Sequence, residues 1–378
     1  MKILLATDEY INQINGITNS VVALKNELTK LGHDVRVLTL SPNNKSYVKD
    51  NDYYISSIHV PIYPDARYSF RKHDKLLKNI IEWSPDLVHI QTEYSARVLA
   101  NKIIKKINIP YVITCHAMYE DYIRYWCPSK KIGKFIIKKL SNKYYNPSKS
   151  LVVPSIKLKK KEIEYGVKCP IEVIPTGIDL EKFNNRISLE ERKKLLKKYN
   201  IDIDKKVLVT VSRVAVEKNI EEIINYFKLL LEKDCNYRLL IVGDGPDKKN
   251  LENLVGKLEL NEYVKFTGMI MPDEVYKYYQ LGDVFVCAST SESQGLTYVE
   301  ALASSLPLVC RKDDCLLDVI EVGKNGFVYE NHDDFVDNIL KANKDMGKKS
   351  LEISKKYSKE EFGRTMEKLY KDILGVEK

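Results

Sequence analysis

Two glutamates with seven residues between them bracket the stretch Glu292-Ser-Gln-Gly-Leu-Thr-Tyr-Val-Glu300. It follows an apolar run, Asp283-Val-Phe-Val-Cys-Ala-Ser289, and leads into the small-residue run Ala301–Ser305. That pattern reads as a buried strand, a loop and a helix. Glu292 then sits in the loop, and Gly295 lets the backbone approach a ligand closely. Leu296 and Thr297 carry the unpaired N–H groups of a helix start, where orphan donors and the helix dipole both favour an anion. Glu300, at the end of the first turn or just beyond, reaches the same ligand from one side. Amides for phosphates and carboxylates for hydroxyls suit a nucleotide sugar. By spacing alone, the same pattern also fits acids on an ordinary surface helix.

A second group of residues complements the first. Val211-Ser-Arg213-Val-Ala-Val-Glu-Lys218 follows an apolar strand pattern. A departing nucleoside diphosphate gains negative charge, so two fixed cations stabilise the transition state more than the ground state. Val242-Gly-Asp-Gly-Pro246 is a tight strand-to-helix turn without the full spacing of a dinucleotide fingerprint. Tyr111-Val-Ile-Thr-Cys-His116 is a strand with a histidine at its carboxyl end, where open parallel sheets bind ligands. A lone histidine there is more often a structural hydrogen-bonder. Asp202-Ile-Asp204 is formally a metal–diphosphate motif, but it lies in a polar linker beside Lys205 and Lys206 and reads as a surface turn. No metal and no cofactor are expected.

These residues need a scaffold, and the chain supplies a repeating one. It has 378 residues, 44% hydrophobic, enough for two or three domains with sizeable cores. Lys2–Thr7, a helix through Val21, Leu24 and Leu28 closed by Gly32, and Val35–Leu40 form a βαβ unit. Strands are expected at Leu87–Gln91, Tyr111–Thr114 and Leu151–Val153. The rhythm restarts at Val207–Val211 and continues through Arg238–Val242, Val264–Thr267, Val284–Ala288 and Leu308–Cys310. The expectation is an α/β chain with two doubly wound domains and ligands between them. Pro and Gly in Ile174-Pro-Thr-Gly-Ile-Asp179 mark the boundary, a charged helix Leu189–Tyr199 precedes the second domain, and Ser358–Gly375 reads as an amphipathic helix.

The excess of basic residues is modest, a formal net charge of +9. Seven scattered cysteines without a C-x-x-C pair give neither a zinc site nor a disulfide framework, which fits a reducing cytoplasm. Met1-Lys-Ile-Leu-Leu-Ala-Thr-Asp runs straight into acids, unlike a signal peptide. No apolar run reaches the ~18 residues that span a bilayer, so any membrane contact is expected to be peripheral. Lys130-Lys-Ile-Gly-Lys-Phe-Ile-Ile-Lys-Lys-Leu-Ser-Asn-Lys-Tyr-Tyr145 carries six lysines, with Ile132, Phe135, Ile136 and Leu140 on one helical face. Lys157–Lys161 and Arg67–Lys75 are further basic clusters in the same half. The first stretch reads as a membrane-surface helix contacting an anionic bilayer through Lys130, Lys131, Lys134, Phe135 and Lys138, or as a core helix with a solvated side. No nucleic-acid recognition module accompanies the basic residues.

The Glu292–Glu300 stretch resembles the nucleotide-sugar site of the retaining family-four glycosyltransferases with the GT-B fold. Arg213 and Lys218 resemble that family's Arg-x4-Lys pair, and Val242–Pro246 its Gly-x-Gly-Pro turn. His116-Ala-Met-Tyr119-Glu-Asp121-Tyr122, Gln13-Ile-Asn-Gly16, Ile90-Gln-Thr-Glu93 and Ile174–Asp179 are similar to bacterial glucosyltransferases that act on diacylglycerol. Ile17 stands where the wider family often has a second glycine, which leaves Gly16 as the close-approach residue. The resemblance covers essentially the whole chain. It implies two Rossmann-like domains facing each other across a cleft, residues 1–178 with a returning helix 359–378, and residues 179–358. Arg213 and Lys218 would hold the pyrophosphate, Glu292 the sugar hydroxyls and Glu300 the ribose. Gly295, Leu296 and Thr297 would complete the donor site, with Gly268, Met269 and Ile270 meeting the base. His116 would position the sugar, and Glu93, Tyr119 and Asp121 would lie on the acceptor side. The implied reaction moves a hexose, glucose from UDP-glucose, onto a diacylglycerol-type lipid with retention and without metal, at the inner face of the membrane. Two other readings stay open: the same chemistry on a soluble or polysaccharide acceptor, and a non-catalytic binder of nucleotide sugars or anionic membranes.

Overall fold

The structure, a computed structural model, describes residues 1–10, 15–60, 67–120, 127 and 129–376, apart from the side chain of Lys130. Gln13, Asp121, Tyr122 and the Lys130 side chain therefore lie outside the described residues. The chain divides into two compact units, Met1–Gly177 with Lys359–Lys378, and Ile178–Ser358.

The first unit is built on an eight-stranded sheet in the order Ile171–Val173, Ser150–Val153, Tyr111–Thr114, Leu87–Ile90, Lys2–Ala6, Asp34–Leu40, Asp52–Ile55 and Tyr47–Lys49. All neighbours are parallel except the last pair. Alternation along each strand sorts side chains to two faces. Ile3 and Leu5 join one core cluster, Leu4 and Ala6 the other. The final helix, Lys359–Leu374, belongs to this unit. Its Phe362, Met366 and Tyr370, four residues apart, pack with Ile3, Leu5 and the helix Gly16–Lys30. Gly363 permits that approach, because a Cβ there would lie 2.5 Å from the Cβ of Glu27.

The second unit carries a six-stranded, all-parallel sheet in the order Val264–Phe266, Tyr237–Val242, Lys206–Val211, Val284–Cys287, Leu308–Arg311 and Gly326–Tyr329. Val207 and Val209 face one cluster and Leu208 the other, so both faces are covered by helices. Each sheet also has a switch point. The chain winds outward from Lys2–Ala6, then returns to start again at Leu87–Ile90 on its other side. In the second unit the reversal falls between Lys206–Val211 and Val284–Cys287. Crevices at the carboxyl ends of such strand pairs are where open α/β sheets take ligands.

Candidate active site

In the second unit, both strands at the switch point end in loops that carry residues singled out from the sequence. Arg213 and Lys218 follow Lys206–Val211, and Glu292 follows Val284–Cys287. The loops are joined: Lys218 Nζ donates to Glu292 Oε1 at 2.5 Å, and Ser291 Oγ donates to the Glu217 carbonyl at 3.3 Å. Burial pulls the Lys218 ammonium down, but the Glu292 carboxylate outweighs it and the net pKa is raised. Lys218 therefore stays charged. The helix Leu296–Ala303 begins just beyond, with Gly295 as its N-cap. Gly295 is left-handed (φ +73°), a Cβ on it would strike the Tyr298 ring at 2.3 Å, and it supplies no side-chain cap to the first amides. Glu300, on the fifth residue of that helix, accepts from the Tyr279 hydroxyl at 2.6 Å. Burial pushes its carboxyl up to about 7 against the lowering effects of Tyr279 and Lys182.

The turn Val242–Pro246 has a role its sequence did not reveal. The Val214 N–H donates to the Asp244 carbonyl at 2.9 Å, and the Asp247 N–H to the Val214 carbonyl at 3.1 Å. A Cβ on Gly243 would sit 1.9 Å from the Ser212 carbonyl oxygen, and one on Gly245 2.2 Å from that of Val214. The glycines let this turn back the loop that presents Arg213. Gly268 is also left-handed and bridges Gly243, Met269 is exposed, and Ile270 packs on the core. Asp202 and Asp204 lie at the amino end of Lys206–Val211, opposite to Arg213, with Asp204 paired to Lys205 at 3.4 Å. Among the described residues no group of three or more His, Cys, Asp or Glu side chains could hold a metal.

In the first unit, three strand ends meet. Asp8 and Glu9 follow Lys2–Ala6, Gln91 and Glu93 follow Leu87–Ile90, and His116 follows Tyr111–Thr114. His116 Nε2 is 2.8 Å from Gln91 Oε1, and burial lowers its pKa to about 4. Glu93 accepts from the Tyr145 hydroxyl at 2.9 Å, and burial raises its pKa against the lowering effects of Tyr119 and Tyr145. Asp8 accepts from Thr92 Oγ1 at 2.5 Å and from the Ala96 N–H at 2.9 Å, which caps the helix Ser95–Ile107. Burial pushes its carboxyl up to about 6. Gly16 opens the helix Gly16–Lys30 behind its cap Asn15, whose amide donates to Glu9 at 2.6 Å.

Comparison with known proteins now decides the family. Residues 191–361 match the model of glycosyl transferases group 1, and residues 14–182 that of glycosyltransferase family 4. The chain is 34% identical to the alpha-monoglucosyldiacylglycerol synthase of Acholeplasma laidlawii, over 99% of this chain and 98% of that one. It is equally 34% identical to the synthase of the same name from Streptococcus pneumoniae, over 99% and 86%. The chain belongs to the family-four glycosyltransferases. A solved structure of Anabaena HepE in complex with UDP-glucose superposes with a TM-score of 0.72 over 98% of this chain and 100% of that one, at 16% identity, and shares the GT-B fold.

The surface of the glycosyltransferase's first unit separates the basic clusters. In the helix Lys130–Tyr145, Gly133, Ile137, Ser141 and Tyr145 face inward at every fourth residue. Ile132, Phe135, Ile136 and Leu140 are exposed, Phe135 at 66%, and Lys131, Lys134, Lys138, Lys139 and Lys143 are exposed beside them. The core-helix alternative fails for this apolar face. The cluster Lys157–Lys161 is split instead: Lys157 is buried, and Lys161 lies 3.8 Å from Glu120 and 3.2 Å from Glu164. Near Arg67 and Arg71, exposed Tyr68 and Phe70 pair edge to face at 4.7 Å. No described helix is long and apolar enough to cross a membrane. Asp8, His89 and Tyr279 are given no role by the sequence, and Gln91 stands there only inside the motif Ile90–Glu93. Gln91 and Asp8 were signalled by their place after apolar strands, whereas His89 and Tyr279 sit inside runs that read as core.

Proposed function

We propose that this glycosyltransferase moves glucose from UDP-glucose onto diacylglycerol or a glycosyldiacylglycerol, at an anionic membrane surface facing the cytoplasm. The diphosphate takes Arg213, Lys218 and the amides of Leu296 and Thr297. Lys218 exchanges Glu292 for phosphate oxygen, which frees the carboxylate for the sugar hydroxyls, and Glu300 takes the ribose. The bond from the anomeric carbon to the diphosphate breaks while the bond to the acceptor oxygen forms on the same face. Same-face replacement retains the α configuration, and the acceptor's proton passes to the departing phosphate oxygen. The two cations meet the charge that develops on the leaving group, and no divalent metal takes part.

The lipid acceptor rests on one observation above others, the exposed apolar stripe Ile132–Phe135–Ile136–Leu140 set among lysines in the unit that carries His116. A contiguous exposed apolar face rimmed by cations fits an interfacial helix. The names of the two synthases agree with a glucosylated lipid product. Changing Lys131, Lys134 and Lys138 together to Gln is expected to lower cosedimentation with anionic vesicles and lipid glycosylation in parallel, with nucleotide-sugar affinity intact. Each lysine near such a surface contributes about 1 kcal/mol. A triple variant that binds vesicles like its parent at every salt concentration would contradict the membrane role.

A further inference from the structure

His116 is the visible end of a hydrogen-bond chain that reaches the last helix of the protein. Its Nε2 lies 2.8 Å from Gln91 Oε1. The Gln91 amide nitrogen lies 3.1 Å from His89 Nδ1. His89 Nδ1 lies 2.5 Å from the Tyr370 hydroxyl, and His89 Nε2 lies 2.6 Å from Thr114 Oγ1. His89 and Tyr370 are wholly buried, and Gln91 is nearly so.

The chain has a direction. Among the described residues, His89 is the one hydrogen-bond partner of the Tyr370 hydroxyl, so that buried O–H must donate to His89 Nδ1 or remain unsatisfied. Nδ1 then carries a lone pair, and neutral His89 bears its hydrogen on Nε2 and donates it to Thr114. The Gln91 NH2 faces the same lone pair, which turns its carbonyl oxygen toward His116. A carbonyl oxygen only accepts, so the His116 nitrogen beside it must bear a hydrogen. Burial lowers the pKa of His89 to about 3 and that of His116 to about 4, so both rings are neutral at physiological pH. The lone pair of His116 is thus left on Nδ1.

We propose that Tyr370, His89 and Gln91 are positioning residues that hold His116 as its neutral Nε2–H tautomer, so that Nδ1 receives a hydrogen bond from a substrate hydroxyl. This rests on the reading that the sugar binds at His116, and it sharpens it. His116 offers no positive charge to the transition state. It selects a hydroxyl at the position it meets and disfavours a carbonyl or an oxyanion. It also makes the last helix part of the site through one hydroxyl, that of Tyr370. Without that hydroxyl the opposite polarity becomes available: His89 Nδ1–H donates to a flipped Gln91, whose NH2 then faces His116 Nε2 and moves the hydrogen of His116 to Nδ1.

Nitrogen-15 NMR of the full-length chain with labelled histidine rings reads the tautomer directly, the His116 signals being assigned by their loss in His116→Ala. The parent is expected to show a protonated Nε2 and an unprotonated Nδ1. Tyr370→Phe, which keeps the ring packed edge-on against His89, is expected to shift these signals toward a mixture of tautomers. It should also lower kcat/KM for UDP-glucose by roughly 10- to 100-fold, taking the scale known for outer partners that orient a metal-bound histidine. Gln91→Leu is expected to do the same if the tyrosine variant proves poorly folded. A parent spectrum with the hydrogen on Nδ1, or a folded Tyr370→Phe with unchanged His116 signals, overturns the inference. Full transfer by His116→Ala beside the expected parent tautomer would instead remove His116 from the substrate site and leave the chain itself standing.

Discussion

Lys218 and Glu292 neutralise one another, so a phosphate binding there competes with a carboxylate for one ammonium. Lys218→Ala is expected to cut turnover by roughly 10²–10³-fold, the scale for losing one preorganised charge stabiliser. Steady-state kinetics showing a loss of only a few-fold would remove Lys218 from the transition state. Glu300 offers a second test through pH. Its carboxyl is pushed up to about 7 by burial, so it is protonated below that value and ionised above it. If the ionised form accepts from ribose hydroxyls, nucleotide-sugar affinity rises as pH passes through about 7. Glu300→Gln is expected to weaken donor binding and to flatten that rise, read by calorimetric titration across the range. A rise that persists unchanged in the variant belongs to another group. These side chains were legible in the sequence because each follows an apolar strand run. Some partners were not: Tyr279 and His89 act through contacts between residues distant in the chain, which spacing does not encode.

The helices and strands that hold these residues were readable to differing degrees. Tyr111–Thr114 and Val264–Phe266 announce themselves as β-branched or aromatic runs between turn residues. Asp52–Ile55 does not, because it opens on a buried aspartate. Asp52 accepts from Tyr10, Lys25 and the Val37 N–H, so tertiary bonds satisfy the buried carboxylate beside the core residues Tyr53, Tyr54 and Ile55. Gly326–Tyr329 was missed because it is short and opens on Gly, whose Cβ would strike the Leu308 carbonyl oxygen at 2.2 Å. The helix Ile156–Tyr165 holds a further hidden group, Glu162, buried behind Ser141 of the basic helix. One of its oxygens has no hydrogen-bond partner among the described residues. Burial pushes its carboxyl up to about 7, the nearby Glu93 adding to the effect and Ser141 opposing it. The folded chain keeps a proton that the unfolded chain releases in the ordinary carboxylate range. Stability fully present below that range is therefore lost as pH rises through about 7, by an amount on the order of 3 kcal/mol at most. Glu162→Gln is expected to flatten the fall in melting temperature between pH 5 and pH 8. A parent whose melting temperature does not fall over that interval contradicts the assignment.

Both units follow one plan: a parallel sheet, helices on each face, and a reversal of strand order that opens a ligand crevice. On the proposed function, donor chemistry collects at the reversal in Ile178–Ser358, while His116 and the exposed basic helix belong to the unit formed by both ends of the chain. Short motifs could carry the whole-chain resemblance because residues such as Arg213, Lys218, Glu292 and His116 each follow a strand of a parallel sheet. If Arg213 and Lys218 take the diphosphate as proposed, transfer is expected to persist in excess chelator, and loss of activity restored by magnesium or manganese would contradict a metal-free mechanism. The central claim is the transfer itself. The most direct measurement incubates the purified full-length protein with UDP-glucose and diacylglycerol in anionic vesicles, then identifies the lipid product and its anomeric configuration by mass spectrometry and NMR. The account predicts UDP release matched by an α-linked glucosyl diacylglycerol. Glucose delivered only to water-soluble acceptors, or a β-linked lipid, would contradict it.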